Sequence, residues 1–354
     1  MPVFSTRTFV LVALLAGARS TPAQDAAAYI ARIEAVQSPD RGGLDGSTLD
    51  KVMEKFRVPG ASIAVIKDFK IHWAKAYGIM DVETGQPVDV NTAFQAASIS
   101  KPVTAMAAVK LMQDGRLSLD DDVNNVLTTW KIPSTELTRT QPVTPRSLFS
   151  HTSGSDDGFG FPGYAPTEPM PTPVQVIRGD KVANVGGVTF SRPPYEGMKY
   201  SGGGTVIMQV ALTDLTHQLF ADFMQATVLG PLGMTGSTYR QPPPPEWAPR
   251  LARAHDGKGK RMGAPWHVYP EQAPAGLWTT PSDLARVVIE VQTAVRGPRG
   301  AVLTQQGARE MTSPVGTGAY AVGFAMEKRG EGWYFMHGGS NWGFQCNLLG
   351  HVRK

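Results

Sequence analysis

Ser98-Ile99-Ser100-Lys101 is the sharpest chemical signal in this sequence. A serine and a lysine three residues apart at the start of a helix share one face, so hydroxyl and amine come within reach of each other. A serine hydroxyl is a weak nucleophile until a neighbouring base takes its proton. A lysine is such a base only when neutral, and burial together with the positive end of a helix dipole moves its pKa in that direction. Alone the motif is weak, since an N-cap serine followed by a solvated lysine has the same spacing. Three further segments offer partners. Tyr200-Ser201-Gly202-Gly203-Gly204 places a phenol on a turn before a helix; Leu148-Phe149-Ser150-His151-Thr152-Ser153-Gly154 closes a short helix; His337-Gly338-Gly339-Ser340-Asn341 lies on or beside a late strand. Small residues in the last segment let a substrate approach the backbone, whose N–H groups can hold an oxyanion.

The elements that must position these groups follow from periodicity. Ser47 to Phe56 reads as a capped helix, with Leu49, Met53 and Phe56 on one face. Ala61–Ile66 and Ile71–Tyr77, separated by Lys67-Asp68-Phe69-Lys70, read as a β-hairpin. Ser98 to Gly115 returns to helical spacing, and Pro102 is tolerated in its first turn. From about residue 116 to 275 helical segments alternate with polar, Pro- and Gly-rich loops. Thr144-Pro145 opens a short helix, Thr205 is expected to cap a helix running through Phe223, and Gln241-Pro242-Pro243-Pro244-Pro245 is a stiff connector. Thr280-Pro281 opens an amphipathic helix with Leu284, Val287, Val288 and Val291 at helical spacing. Strand patterns reappear at Gly332–Met336 and Gly343–Leu349. Strands at both ends with helices between them predict one sheet built from the two termini and an inserted helical lobe.

With these segments in this order, the chain resembles the serine β-lactamase and penicillin-binding protein superfamily, and within it the class C-like branch that includes family VIII carboxylesterases and D-amino-acid peptidases. The resemblance covers about residues 45 to 350 and takes in Ala273-Pro274-Ala275-Gly276-Leu277-Trp278-Thr279-Thr280-Pro281-Ser282-Asp283-Leu284-Ala285. It implies an α/β (α+β) fold of the β-lactamase/transpeptidase type: an antiparallel sheet flanked by helices, with a sheet lobe at about 45–95 and 276–354 and a helical lobe at about 96–275. It also implies Ser98 as the acylated nucleophile, Lys101 as its base and Tyr200 as the proton shuttle. The oxyanion hole would be the N–H groups of Ser98 and Ser340, and His337-Gly338-Gly339 would stand at the K-T-G position, lining the substrate site. Two departures bear on substrate. Tyr200-Ser201-Gly202 lacks the amide of the Y-x-N motif, and the lysine that would pair with a substrate carboxylate is His337, mostly neutral at pH 7. Both lean towards esters or less charged amides, with a D-amino-acid peptidase or β-lactamase as alternatives. His151 reads as a structural group closing its helix. The family usually continues with further strands and a C-terminal helix, and without them the hairpin at residues 61–77 is expected to expose a sheet edge and apolar faces. A catalytically impaired or binding-only truncated relative is therefore the rival reading.

Composition bounds the rest. The 354 residues are 42% hydrophobic and 18% charged, which excludes disorder, collagen and coiled coil, and Gly 38 with Pro 28 predicts many loops. Met1 to Ala23 has Arg7, an apolar run from Phe9 to Ala16 too short to span a bilayer, and a small-residue site at Thr21-Pro22-Ala23. It reads as a signal peptide (1–23) ahead of one hydrolase domain (24–354), which predicts a secreted or periplasmic protein without stable membrane insertion. The net charge of +4 is scattered, with only Lys258-Gly259-Lys260-Arg261 clustered, so nucleic acid is not an expected partner. One cysteine, Cys346, leaves no disulfide framework, and the seven histidines form no HxxxH or HExxH pair, so neither metal nor cofactor is expected. Small esters, amides or lactams are the expected partners. Gly158-Phe159-Gly160-Phe161-Pro162-Gly163 fits G-x-G-x-x-G but lacks the strand–turn–helix context of a dinucleotide site. Phe159, Phe161 and Tyr164 there read either as an apolar substrate wall or as a plain surface loop.

Overall fold

The computed structural model describes residues 22–36, 46–157 and 160–353. The chain divides into an N-terminal unit ending at Val52 and a main unit from Met53 onward. Within the first, α1 spans Pro22–Glu34, so the last two residues of the expected leader open a helix while its first 21 lie outside the described residues. Helix α2 (Leu49–Phe56) falls where the amphipathic pattern placed it.

The predicted hairpin forms as β1 (Gly60–Lys67) and β2 (Lys70–Gly78), paired antiparallel through Lys67↔Lys70. Its two-residue reversal sets both Asp68 and Phe69 at positive φ, 52° and 60°. That is the left-handed geometry a tight hairpin turn demands, here adopted without glycine. Short β3 (Phe94–Gln95) follows, then α3 (Ser100–Gln113), α4 (Glu136–Thr140), α5 (Pro145–Phe149) and α6 (Pro173–Arg178). Next come α7 (Gly202–Thr216), α8 (Phe220–Met224), α9 (Gln272–Ala275), β4 (Trp278–Thr279), α10 (Pro281–Arg296) and α11 (Gln305–Glu310). Strands β5 (Ala325–Arg329), β6 (Gly332–Asn341) and β7 (Phe344–His351) complete the order.

Two expectations are corrected here. Thr205 is not a cap: Ser201 is the N-cap of α7 and accepts from the Gly204 N–H, so the glycine triplet forms the first turn and Thr205 is buried inside the helix. The helix also stops at Thr216, because His217 turns left-handed (φ 56°), and the chain resumes as α8. The second correction concerns the sheet. Strands β5, β6 and β7 form one antiparallel ladder and β1–β2 another, with no hydrogen-bonded register between them. Helix α10 joins the halves by packing against β1, β2 and β7, with Val287, Val288 and Val291 in the core.

The main core runs from Ile99, just ahead of α3, and Val103 of α3 through α7 and α10 to Phe335 and Leu348 of the three-stranded ladder. It leaves α3 almost wholly buried, Ser100 and Lys101 included. A smaller cluster around Trp278, fully buried with Trp266 and Phe344 edge-on to it, packs Met80, Ala93 and Leu251.

Candidate active site

Ser98 sits in a 3-10 turn (Ala97–Ile99) that feeds directly into α3. The residue before it, Ala97, is held at φ 49°, a conformation costly for any residue with a Cβ. The turn is pinned from several sides. Ser100 donates through its hydroxyl to Ala97 O (2.5 Å) and accepts from the Leu277 N–H (3.0 Å), while the Tyr239 hydroxyl donates to Ser100 O (2.8 Å). Strand β6 packs on the same turn. Gly339 makes that possible, because a Cβ there would lie 2.2 Å from the Ala96 carbonyl oxygen. The glycines of the late strand thus divide their work. Gly339 serves a close approach of two backbone segments, whereas Gly338 is exposed and a Cβ on it would meet nothing within 4 Å.

Lys101 Nζ donates to Ser98 Oγ at 3.0 Å and to the Pro274 carbonyl at 3.2 Å. The side chain is 2% exposed, and this burial pushes the amine down to about 7 against the pull of the Asp157 carboxylate. Its nitrogen lies 4.9 Å from the Tyr200 ring centre. Burial pushes the Tyr200 phenol up to about 12, opposed by its hydrogen bond with Ser98. The expected nucleophile, base and phenol therefore converge on one oxygen.

Tyr200 is held by the start of α7. Asp157 accepts from the Ser201 hydroxyl (2.5 Å) and from the Gly203 N–H (2.7 Å), a carboxylate at the positive end of a helix. His151, left-handed at φ 60° just past α5, accepts through Nδ1 from the Ser201 N–H (3.2 Å) and lies 4.3 Å from the Tyr200 ring. Burial and nearby Lys101 hold its pKa well below the ordinary histidine value. It both closes its helix and supports the phenol.

His337 is 3% exposed. Its Nδ1 is 2.6 Å from Gly338 O, which makes that nitrogen the protonated one. Burial first, then Lys101, push its pKa down to about 3, so the imidazole is neutral across the physiological range. Ser340 is exposed on β6 with its hydroxyl accepting from Gln345 Nε2 (2.8 Å), directly after Gly339, which meets the turn before Ser98.

The G-x-G-x-x-G segment separates. Phe159 lies outside the described residues. Phe161 packs its ring against Gly202, where a Cβ would meet it at 2.7 Å, so this ring does stand beside the Tyr200 turn. Tyr164 is buried, its hydroxyl accepting from the Asn184 N–H and its backbone exchanging hydrogen bonds with Val268, so its ring anchors the loop rather than facing a cleft. Two groups escape a reading of the sequence. Asp157 acts on the site from 44 residues away along the chain, and Tyr320 packs edge-on to His151 (4.6 Å) and His337 (6.0 Å). No motif or spacing signals either of them, whereas the Pro274 carbonyl, 173 residues from Lys101, belongs to the segment 273–285 that the family resemblance takes in. Among the described residues no group of His, Cys, Asp or Glu could hold a metal ion.

Residues 47–351 match the family model described as Beta-lactamase. The chain belongs to the beta-lactamase family. It is 26% identical over 289 residues to Protein flp of Staphylococcus aureus (strain N315), covering 78% of this chain and 55% of that protein. It is 30% identical over 294 residues to Penicillin-binding protein 4 of Amycolatopsis lactamdurans, covering 80% and 73%. The chain thus spans about half the length of flp. Among solved structures it is similar to the octameric penicillin-binding protein homologue from Pyrococcus abyssi (TM-score 0.64, 25% identity, 82% of this chain and 66% of that one). These likenesses establish the β-lactamase/transpeptidase-like fold, with its mixed helices and antiparallel strands.

Proposed function

We propose that this chain is a serine hydrolase that forms a Ser98 acyl-enzyme with carboxylic esters or uncharged amides. The observation that carries the reading is the buried Lys101 amine, brought down to about 7 and hydrogen-bonded at 3.0 Å to Ser98 Oγ. Neutral Lys101 takes the Ser98 proton as Oγ bonds to the substrate carbonyl carbon. The negative charge on the carbonyl oxygen is met by the N–H groups of Ser98 and Ser340. Collapse breaks the bond to the leaving group, which receives its proton through Tyr200. Water then repeats the sequence on the acyl-enzyme, releasing the acid and returning the proton to Ser98.

Support for uncharged substrates comes from His337. A neutral imidazole at the position where the resemblance expects lysine offers a substrate carboxylate no cation. An esterase or general hydrolase therefore ranks ahead of a D-amino-acid peptidase, and a β-lactamase ranks third. The leader pattern at residues 1–23 supports export to the periplasm or the medium, which fractionation with N-terminal sequencing of the mature chain tests.

The deciding measurement is intact-protein mass after incubation with a fluorophosphonate and, separately, with a penicillin. One adduct that vanishes in Ser98→Ala is the expected result, with the fluorophosphonate reacting far faster. A folded protein that takes neither reagent would sink the hydrolase reading in favour of a binding-only relative.

A further inference from the structure

The carbonyl that holds the Lys101 amine belongs to a very short helix. Helix α9 has four residues, Gln272–Ala275, and packs on both α3 and α7. So short a helix does not hold its own shape in isolation, because its first turn fixes several residues for one hydrogen bond. Its N-cap residue, Glu271, is buried and makes no side-chain bond to the helix. Pro274 is the third helical residue, where its missing N–H costs no helical bond, and its carbonyl meets Lys101 Nζ at 3.2 Å.

The missing cap comes from another part of the chain. Gln209 lies within α7, the helix that follows Tyr200, and is 3% exposed. Its Oε1 accepts from the Ala273 N–H (2.8 Å) and its Nε2 donates to the Pro270 carbonyl (2.9 Å). Ala273 is the second helical residue, whose N–H an N-cap side chain ordinarily takes. One amide therefore does from a distant helix what Glu271 does not, gripping the backbone on both sides of that residue. Opposite it, Thr104 of α3 donates to the Ala273 carbonyl (3.0 Å), and Asn341 donates to the Ala275 carbonyl (3.1 Å). Along α7 the neighbours Ile207, Met208, Val210 and Ala211 are apolar and buried, so packing alone would favour an apolar side chain at 209.

We propose that Gln209 is a positioning residue for the Ser98 chemistry: by capping α9 across the core, it holds the Pro274 carbonyl on the Lys101 amine. The effect on rate rests on the acyl-enzyme reading above, whereas the effect on Lys101 itself does not. A carbonyl acceptor favours the charged amine, so loss of the cap should make Lys101 release its proton more readily. General loosening of the core would admit water and move the amine the other way. The other titratable groups beside Lys101 are Asp157, Tyr200, His151 and His337, with Glu271 at the head of α9, and all stay in place in the variants below.

Gln209→Met keeps a long unbranched side chain and removes both contacts. Val210→Ala, a truncation of a buried side chain on the same helix, is the control for core damage. Lys101 is titrated by carbon-13 NMR of lysine-labelled protein, its signal assigned by its loss in Lys101→Arg. The midpoint should fall by about half a unit to one unit in Gln209→Met and stay in place in Val210→Ala. With an activated ester, kcat on the high-pH plateau should drop about tenfold in Gln209→Met with KM little changed. Gln209→Glu is the rescue. Its protonated carboxyl donates and accepts as the amide does, and its ionised form adds a negative charge, so the midpoint should not fall. An unmoved or raised midpoint in Gln209→Met, an equal fall in Val210→Ala, or a fall in Gln209→Glu overturns the proposal, and the last of these decides it where Gln209→Met does not fold. The titration needs no substrate. A wild-type protein that takes no fluorophosphonate therefore sinks the hydrolase reading alone, and an unmoved Lys101 in a protein that does take it sinks the positioning role alone.

Discussion

At the residue scale the site turns on one amine and one imidazole. Because Lys101 must be neutral to accept the Ser98 proton, kcat/KM for an activated ester should rise with pH through about 7 and level off above it. Lys101→Arg keeps the charge but cannot lose its proton, so the rate should fall on the order of 10²–10⁴-fold with no such rise. A flat pH profile in the wild-type protein would count against Lys101 as the base. His337 makes the complementary prediction. His337→Lys restores a cation, and the ratio of kcat/KM between a carboxylate-bearing ester and its neutral isostere should move towards the acid by about tenfold, the worth of a charge-assisted hydrogen bond of about 1.5 kcal/mol. Unchanged selectivity would place the imidazole outside the substrate's reach.

At the scale of elements, the chemistry depends on three approaches between segments. Gly339 lets β6 reach the 97–99 turn, and its Cβ-bearing replacement must displace the Ala96 carbonyl. Gly339→Ala should cost about 1–3 kcal/mol in urea unfolding and lower the rate of Ser98 labelling, whereas Gly338→Ala should leave stability nearly unchanged. The second approach is the Asp157 carboxylate at the start of α7. Asp157→Ala leaves the Ser201 hydroxyl and the Gly203 N–H without that acceptor, at a cost on the order of 1–2 kcal/mol. By loosening the turn that carries Tyr200 it should also slow acylation, read as burst rate with a fluorogenic ester. The third is the Pro274 carbonyl on Lys101, contributed by the loop-to-helix segment that precedes α10.

At the scale of the whole molecule, long-range contacts hold the parts that sequence order keeps apart. Glu290 of α10 accepts from the N–H groups of Ala301 (2.9 Å), Val302 (2.7 Å) and Leu303 (2.7 Å), stitching the loop before α11 onto the helix under both half-sheets. Glu290→Ala leaves three donors stranded and should lower stability by about 3 kcal/mol or more, seen as a shift of the denaturant midpoint. The two half-sheets share α10 but no ladder, so stabilisation of one reaches the other through that helix and its valines.

What the amino-acid sequence by itself determined is local. The Ser98–Lys101 spacing works because three residues make one turn, the β1–β2 hairpin closes over two residues, and α10 follows from Thr280-Pro281 and a 3.6-residue apolar stripe. The ordered motifs around Ser98, Tyr200 and His337 also sufficed for the family. Tertiary structure decided the rest. Ser201, with the Asp157 carboxylate accepting from its hydroxyl and from the Gly203 N–H, caps α7 where Thr205 was expected to. The glycine pair after His337 looks alike in sequence, yet only one meets another backbone. Tyr164 resembles a substrate wall until burial turns it into an anchor. The predicted single sheet is divided because hydrogen bonding between distant strands depends on which edges meet, and no short-range pattern encodes that meeting. Lys101 shows the same limit in its electrostatics: spacing put it beside the serine, but only packing of α3 into the core removes the water that would keep it charged.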